Sequence, residues 1–156
     1  MSLLGKVAIV SGAAQGLGRE FAIRLAKEGC DVLGFDVKKE VLDVPGVTAM
    51  VADVSKREDV ESVVSKASMM GEIAVLVNNA GTWKKTPVDS SWQQAIDDWD
   101  FIMDTNLKGV MMLSRAVVPF LQKSGGHIIN LSTYYVLPAK SDGTNQPDTD
   151  LYNASK

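Results

Sequence analysis

The stretch Val7-Ala8-Ile9-Val10-Ser11-Gly12-Ala13-Ala14-Gln15-Gly16-Leu17-Gly18 decides the fold. Small and β-branched apolar residues run into a glycine-rich turn. Beyond it Leu17, Phe21, Ala22, Leu25 and Ala26 recur at helical spacing until Gly29 stops the pattern. A strand, a tight turn and a helix in that order open a β-α-β unit. Working outward, strand-like runs at residues 6–11, 31–36, 47–52, 73–78 and 127–132 alternate with helical patterns, which predicts an α/β fold with a parallel sheet and helices on both faces. Strands buried on both faces explain why these runs are nearly continuous in Val, Ile, Leu and Ala.

The second crossover, residues 38–46, contains Pro45 and has room for little more than one helical turn. Val60, Val63, Val64, Ala67 and Met70 mark the next helix, ended by Gly71. From residue 91 to 121, Trp99, Ile102, Val110, Leu113, Val117 and Leu121 predict one long helix with Pro119 near its end. Met103, Met111 and Met112 read as packing rather than a binding surface. Residues 133–150 carry Pro138, Gly143 and Pro147 among polar residues and read as a loop. A loop of that length inside a domain usually covers a site or is mobile.

Composition narrows the function. With 156 residues, 46% of them apolar, the chain can bury a core. Its 16 basic residues against 19 acidic ones, with no basic run, argue against nucleic acid as a partner. No apolar run approaches the roughly 18 residues of a membrane span, and the start does not read as a secretion signal, so a cytoplasmic protein is expected. Cys30, the single cysteine, reads as a buried inert thiol, and His127 has no second His or Cys with which to hold a metal.

The spacing Gly12-x-x-x-Gly16-x-Gly18 departs from the usual Gly-x-Gly-x-x-Gly, yet it can supply the same three things. One glycine makes the tight turn, one lets backbone approach a pyrophosphate, and one lets the helix pack on the sheet. The helix start offers free N–H groups and the positive end of its dipole to an anion. Gln15 and Leu17 stand within that turn. Asp36, 20 residues beyond Gly16 at the end of the second strand, is placed to meet ribose hydroxyls and to repel a 2′-phosphate. NAD is therefore the expected cofactor. NADP is the less favoured alternative, since Lys38 and Lys39 are close by while Gln15 and Val37 supply no cation.

Further motifs follow in order: Asp53-Val54 after the third strand, Asn78-Asn79-Ala80-Gly81 after the fourth, Thr105-Asn106-Leu107-Lys108-Gly109, Asn130-Leu131-Ser132-Thr133 after the fifth, and Tyr152-Asn153-Ala154-Ser155-Lys156. Together with the glycine turn they resemble the short-chain dehydrogenase/reductase family, of the compact type. The resemblance implies a Rossmann-type doubly wound sheet and an NAD(P)-dependent enzyme acting on a small alcohol or carbonyl compound. It also implies Asp53 and Val54 near the adenine, Asn79, Ala80 and Gly81 near the ribose and sheet centre, and assembly as a dimer or tetramer.

The chemistry needs a group that can give or take a proton at the substrate oxygen. Tyr152 is the candidate, because a phenol titrates near 10 unless a neighbouring cation favours its anion, and Lys156 stands one helical turn away. Ser132 and Thr133 both qualify as the hydroxyl that bonds the substrate oxygen. The family pattern of adjacent serines puts that role on the second position, Thr133, but the spacing leaves the two unresolved. Asn106 interrupts an apolar stripe, so its amide faces the interior; the resemblance implies a water held on a proton path to Lys156, and bonding to sheet or helix backbone is the alternative. Trp83, Trp92, Tyr134, Tyr135 and Leu137 are either an apolar substrate wall or loop anchors.

Family members continue past the Tyr-bearing helix, so residues 1–156 are expected to form an incomplete NAD(P)-binding domain that stops after the fifth strand. A single turn carrying Tyr152 and Lys156 is expected to fray. Ile128, Ile129 and Leu131 are expected at an uncovered sheet edge. The 156-residue chain alone is expected to be inactive as an enzyme, and the alternative readings are a non-catalytic dinucleotide-binding module and a fragment with no function of its own.

Overall fold

The computed structural model describes residues 2–133, 148 and 150–156. Five parallel strands lie in the order β3-β2-β1-β4-β5: β1 (Val7–Ser11), β2 (Asp31–Asp36), β3 (Thr48–Val51), β4 (Ile73–Asn78) and β5 (His127–Asn130). The chain moves outward from β1 to β3, then crosses back to lay β4 on the other side of β1. That reversal opens a crevice at the carboxyl ends of β1 and β4, where open α/β sheets bind ligands.

Each face of the sheet has its own cover. Val7, Ile9, Leu33, Phe35 and Leu76 pack against Val60, Val63, Val64 and Ala67 of α2 (Arg57–Met70) and Leu113 and Val117 of α4 (Gly109–Ser124). On the opposite face Ala8, Val10, Val32, Val75 and Val77 meet Ala22 of α1 (Gly16–Lys27) and Val41 of a short 3-10 turn, Lys39–Asp43. Each fully buried Leu, Ile or Phe contributes about 1.5–3 kcal/mol relative to exposure. The central strand β1 is buried throughout.

Four features differ from the sequence reading. First, β1, β3 and β5 are shorter than their apolar runs, and β3 and β5 are half exposed because they are the two edges of the sheet. Second, the single long helix is a composite of α3 (Trp92–Met103), a π-helical turn at Asp104–Lys108, and α4, which continues through Pro119. The wider turn interrupts the 3.6-residue period between α3 and α4; of the predicted stripe, Ile102, Leu113 and Val117 are buried and Trp99 is exposed. Third, Leu17 points to solvent rather than onto the sheet. Fourth, Met103 and Met112 pack inward as expected, but Met111 is exposed. The loop reading of residues 133–150, with Tyr134, Tyr135 and Leu137, falls almost wholly outside the described residues. Among the described residues no helix is long and apolar enough to cross a membrane.

Ile129, on edge strand β5, is 48% exposed. An apolar edge strand is a template for pairing with another chain, and a lysine there blunts it. Concentration-dependent association of the 156-residue chain, followed by sedimentation, should therefore weaken in Ile129→Lys, with stability changed by no more than about 0.5 kcal/mol.

Candidate functional site

The turn after β1 is built on missing side chains. Gly12 adopts φ +68°, and a Cβ on it would lie 2.8 Å from Ala80 Cα. A Cβ on Gly18 would fall 2.1 Å from the Gly12 carbonyl oxygen, so helix and turn touch backbone to backbone. Gly16, at φ +56°, faces open space. Behind it α1 begins at Gln15 without a capping side chain and without an acid in its first turn. By contrast α3 is capped by the Ser91 hydroxyl, and α2 carries Glu58 and Asp59 in its first turn. The start of α1 thus keeps its unpaired N–H groups and its positive end for something else.

A cleft of about 650 Å3 opens beside this turn, bordered by Gln15, Gly16, Asp36, Asp53, Ala80 and Trp83 among others. Asp36 is set into its rim by two backbone bonds: Oδ2 accepts from Ala14 N–H at 3.1 Å and Oδ1 from Lys38 N–H at 3.0 Å. The Lys38 ammonium reaches back to Gln15 Oε1 at 2.9 Å. Asp53 Oδ1 accepts from the Ser55 N–H and hydroxyl, which fixes the bend into α2 and leaves Val54 buried against α4 at Gly109.

At the end of β4, the Asn79 side-chain amide donates to the carbonyls of Ser11 and Gly12 at 3.0 and 3.1 Å. The Ser11 hydroxyl accepts from the N–H groups of Asn79 and Ala80. Asn79 therefore clasps the glycine turn. Gly81 leaves room for Lys156: a Cβ there would sit 3.0 Å from Lys156 Nζ and 3.4 Å from Asn106 Oδ1.

Asn106 lies in the π-helical turn and is buried, as its place in the apolar stripe predicts. Its Oδ1 accepts from Thr82 N–H at 2.7 Å, and its Nδ2 donates to the Thr82 carbonyl and to the Ser155 hydroxyl. Ser155 in turn donates to the Tyr152 carbonyl at 2.7 Å. This chain of bonds ties the loop after β4 to α5 (Asp150–Ala154), the single turn that bears Tyr152. The Lys156 ammonium lies 5.8 Å from the Tyr152 ring centre and 3.4 Å from the Leu131 carbonyl. Burial pushes its pKa down. The Ser132 hydroxyl donates to the Lys156 carbonyl at 3.2 Å.

Gln15, Asp36, Asp53, Val54, Ala80 and Gly81 all border the cleft, whereas Leu17 and Gly18 do not, Leu17 because it faces outward and Gly18 because it is packed; Asn106, Ser132, Thr133, Tyr152 and Lys156 also lie off its lining. Asn106, Lys156 and Gly81 come together at the end of β4. Trp83 borders the cleft and Trp92 lies on the exposed side of α3. Cys30 is buried, and burial, with Asp31 and Glu28 nearby, pushes its thiol pKa up.

Two polar residues escaped the sequence reading. Ser155 stood inside a quoted motif without a role. Asp98, on α3, is 1% exposed: it forms an ion pair with Lys84 and accepts from the Thr86 hydroxyl at 2.9 Å and from Gln94 Nε2 at 2.6 Å. The Lys84 hydrogen bond holds its carboxyl below the usual range, against the opposing effect of burial and with help from Thr86 and Gln94. Its position four residues before Ile102 places it on the buried stripe, and that was the available signal.

Residues 6–156 match the family model described as short chain dehydrogenase. The chain is 35% identical over 167 residues to 3-oxoacyl-(acyl-carrier-protein) reductase of Thermotoga maritima, covering 100% of this chain and 64% of the relative. It is 34% identical over 142 residues to 2-dehydro-3-deoxy-D-gluconate 5-dehydrogenase of Escherichia coli, covering 85% of this chain and 55% of the relative. The chain thus spans just over half to under two thirds of the length of these relatives. Among solved structures, 3-ketoacyl-(acyl-carrier-protein) reductase of Brucella melitensis complexed with NADH superposes with a TM-score of 0.85 at 31% identity, over 99% of this chain and 65% of that one. A short chain dehydrogenase/reductase of Burkholderia phymatum in complex with NAD gives 0.82 at 28% identity, over 99% of this chain and 56% of that one.

The glycines predict a graded response to alanine. Gly18→Ala forces a clash with backbone and should cost about 3 kcal/mol in urea denaturation, whereas Gly16→Ala has room and should cost only the left-handed strain of about 1–2 kcal/mol. Asp98 gives a pH test. A carboxyl whose pKa is lowered by folding adds stability above its unfolded pKa and loses it as pH falls through the folded one. The stability advantage of the parent over Asp98→Asn should thus be full at neutral pH and shrink below pH about 4.

Proposed function

The chain belongs to the short-chain dehydrogenase/reductase family, and on that premise we propose that the protein transfers a hydride between NAD(H) and a small alcohol or carbonyl substrate. The observation that carries this reading is the uncapped, acid-free start of α1, set under Gly16 and beside Asp36. An anion with two vicinal hydroxyls fits that donor set: the helix N–H groups suit a pyrophosphate, and the Asp36 carboxylate suits the ribose. A nicotinamide dinucleotide bound there supplies the hydride chemistry.

This chain's own residues supply the proton chemistry. Tyr152 is the proton carrier at the substrate oxygen, and the ammonium of Lys156 stabilises the oxyanion that forms. Asn106 holds the two ends of the arrangement together, the loop after β4 and the turn bearing Tyr152. Ser132 and Thr133, in the segment leaving β5, are the two candidates for the hydroxyl that bonds the substrate oxygen. NAD is favoured over NADP because Asp36 repels a 2′-phosphate and the Lys38 ammonium is engaged with Gln15. We also propose a cytoplasmic, homo-oligomeric protein, with exposed Leu107 and Met111 on the composite helix as part of the contact.

Fluorescence titration should show NADH binding at least about tenfold tighter than NADPH, a difference of about 1.4 kcal/mol. Gly16→Ala, which fills the open space with a methyl group, should weaken NADH binding far more than it weakens the fold. In the full-length protein Tyr152→Phe should abolish alcohol oxidation and leave the NADH affinity unchanged; retained turnover removes Tyr152 from the mechanism, and loss of binding instead makes its role structural.

A further inference from the structure

Asp98 is a costly residue to bury, since a carboxylate taken out of water needs partners that restore what it lost. Apart from Gln94 on its own helix, its partners all come from one short segment: the Lys84 ammonium and the Thr86 hydroxyl. The same segment is held at its other end by the same helical run, because Asn106 bonds both the N–H and the carbonyl of Thr82. Trp83 lies between these two fixed neighbours and borders the cleft together with Phe101, over whose ring the Lys84 ammonium sits at 6.0 Å. From the outside, Asp148 accepts from the N–H groups of Thr86 and Val88 and pairs with Lys85. The wall of the cleft is therefore tied down on every side of a tryptophan that itself stays more than half exposed.

We propose that Asp98 is a positioning residue for the dinucleotide cleft: by fixing Lys84 and Thr86 it holds Trp83 in the wall, and so sets the affinity for NAD(H). A loop fixed before binding spares the complex the entropy of ordering it. The proposal rests on the reading of the cleft as an NAD(H) site.

The test uses the full-length protein with Trp92→Phe and Trp99→Phe, which leaves Trp83 as the only tryptophan of this region. NADH is the probe. Three quantities are read: the anisotropy decay of Trp83, the NADH dissociation constant from tryptophan-to-NADH energy transfer, and the thermal midpoint. In Asp98→Asn, Trp83 should gain a fast depolarising component and the NADH dissociation constant should rise roughly tenfold. Lys84→Met, at a half-exposed side chain, should do the same, and the double variant should be no worse than the worse single one, as expected of two halves of one pin. A fall in thermal midpoint with Trp83 motion and NADH affinity unchanged makes Asp98 merely structural and overturns the proposal, as do additive losses in the double variant. Should Asp98→Asn fail to fold, Lys84→Met and Thr86→Val decide by the same readouts. If the parent itself binds no NADH, it is the cofactor reading that fails, and the Trp83 anisotropy still decides whether the pin exists.

Discussion

The close approach of two loops at the reversal of strand order governs this molecule. Chain leaving β1 and chain leaving β4 share a space too small for side chains, which Gly12 and Gly18 make possible and the Asn79 amide locks by bonding two carbonyls of the opposite loop. Each such bond adds only about 1 kcal/mol net. Their geometric effect is larger, because they fix where the bare start of α1 points relative to Ala80 and Gly81. A methyl group at Gly18 would push helix from turn, and the bare start of the helix would no longer face the crevice.

A second frame reinforces the first. The composite helix from Trp92 to Ser124 sends three polar side chains toward the carboxyl end of the sheet: Asp98 to Lys84 and Thr86, Asn106 to Thr82 and Ser155, and Ser114 to Asn78. Asp98 and Asn106 lie about 12 Å apart at the rise of an ideal helix, which lets one rod hold both ends of the segment between Thr82 and Thr86. The π-helical turn lies where Asn106 must reach inward, and such turns recur at functional sites.

The sequence was most legible where burial is two-sided. The runs at β2 and β4, each with a neighbouring strand on both sides, matched their strands residue for residue. At β3 and β5 the apolar run outlasts the strand, since an edge has a partner on one side only. Periodicity gave the composite helix but not its π turn, because a pattern of 3.6 cannot register one widened turn. Among site residues, the glycine turn, Asp36 and the buried amide of Asn106 were readable from local spacing. The bonds of Asp148 to residues 85–88 were not, since they join segments some 60 residues apart and no local pattern encodes them.

The turn bearing Tyr152 shows how such long-range bonds replace local propensity. Five residues of helix are far too few to be stable alone, and by propensity Tyr152 and Lys156 should not hold a fixed relation. What fixes them lies elsewhere in the chain: the Asn106 amide grips the Ser155 hydroxyl, that hydroxyl bonds the Tyr152 carbonyl, and the gap left by Gly81 admits the Lys156 ammonium. The sheet end thus acts as the template on which the turn is set, rather than the turn carrying its own geometry. It follows that the position of Tyr152 is decided largely by residues of the loop after β4 and of the π-helical turn, which precede it by some 50 to 70 residues in sequence.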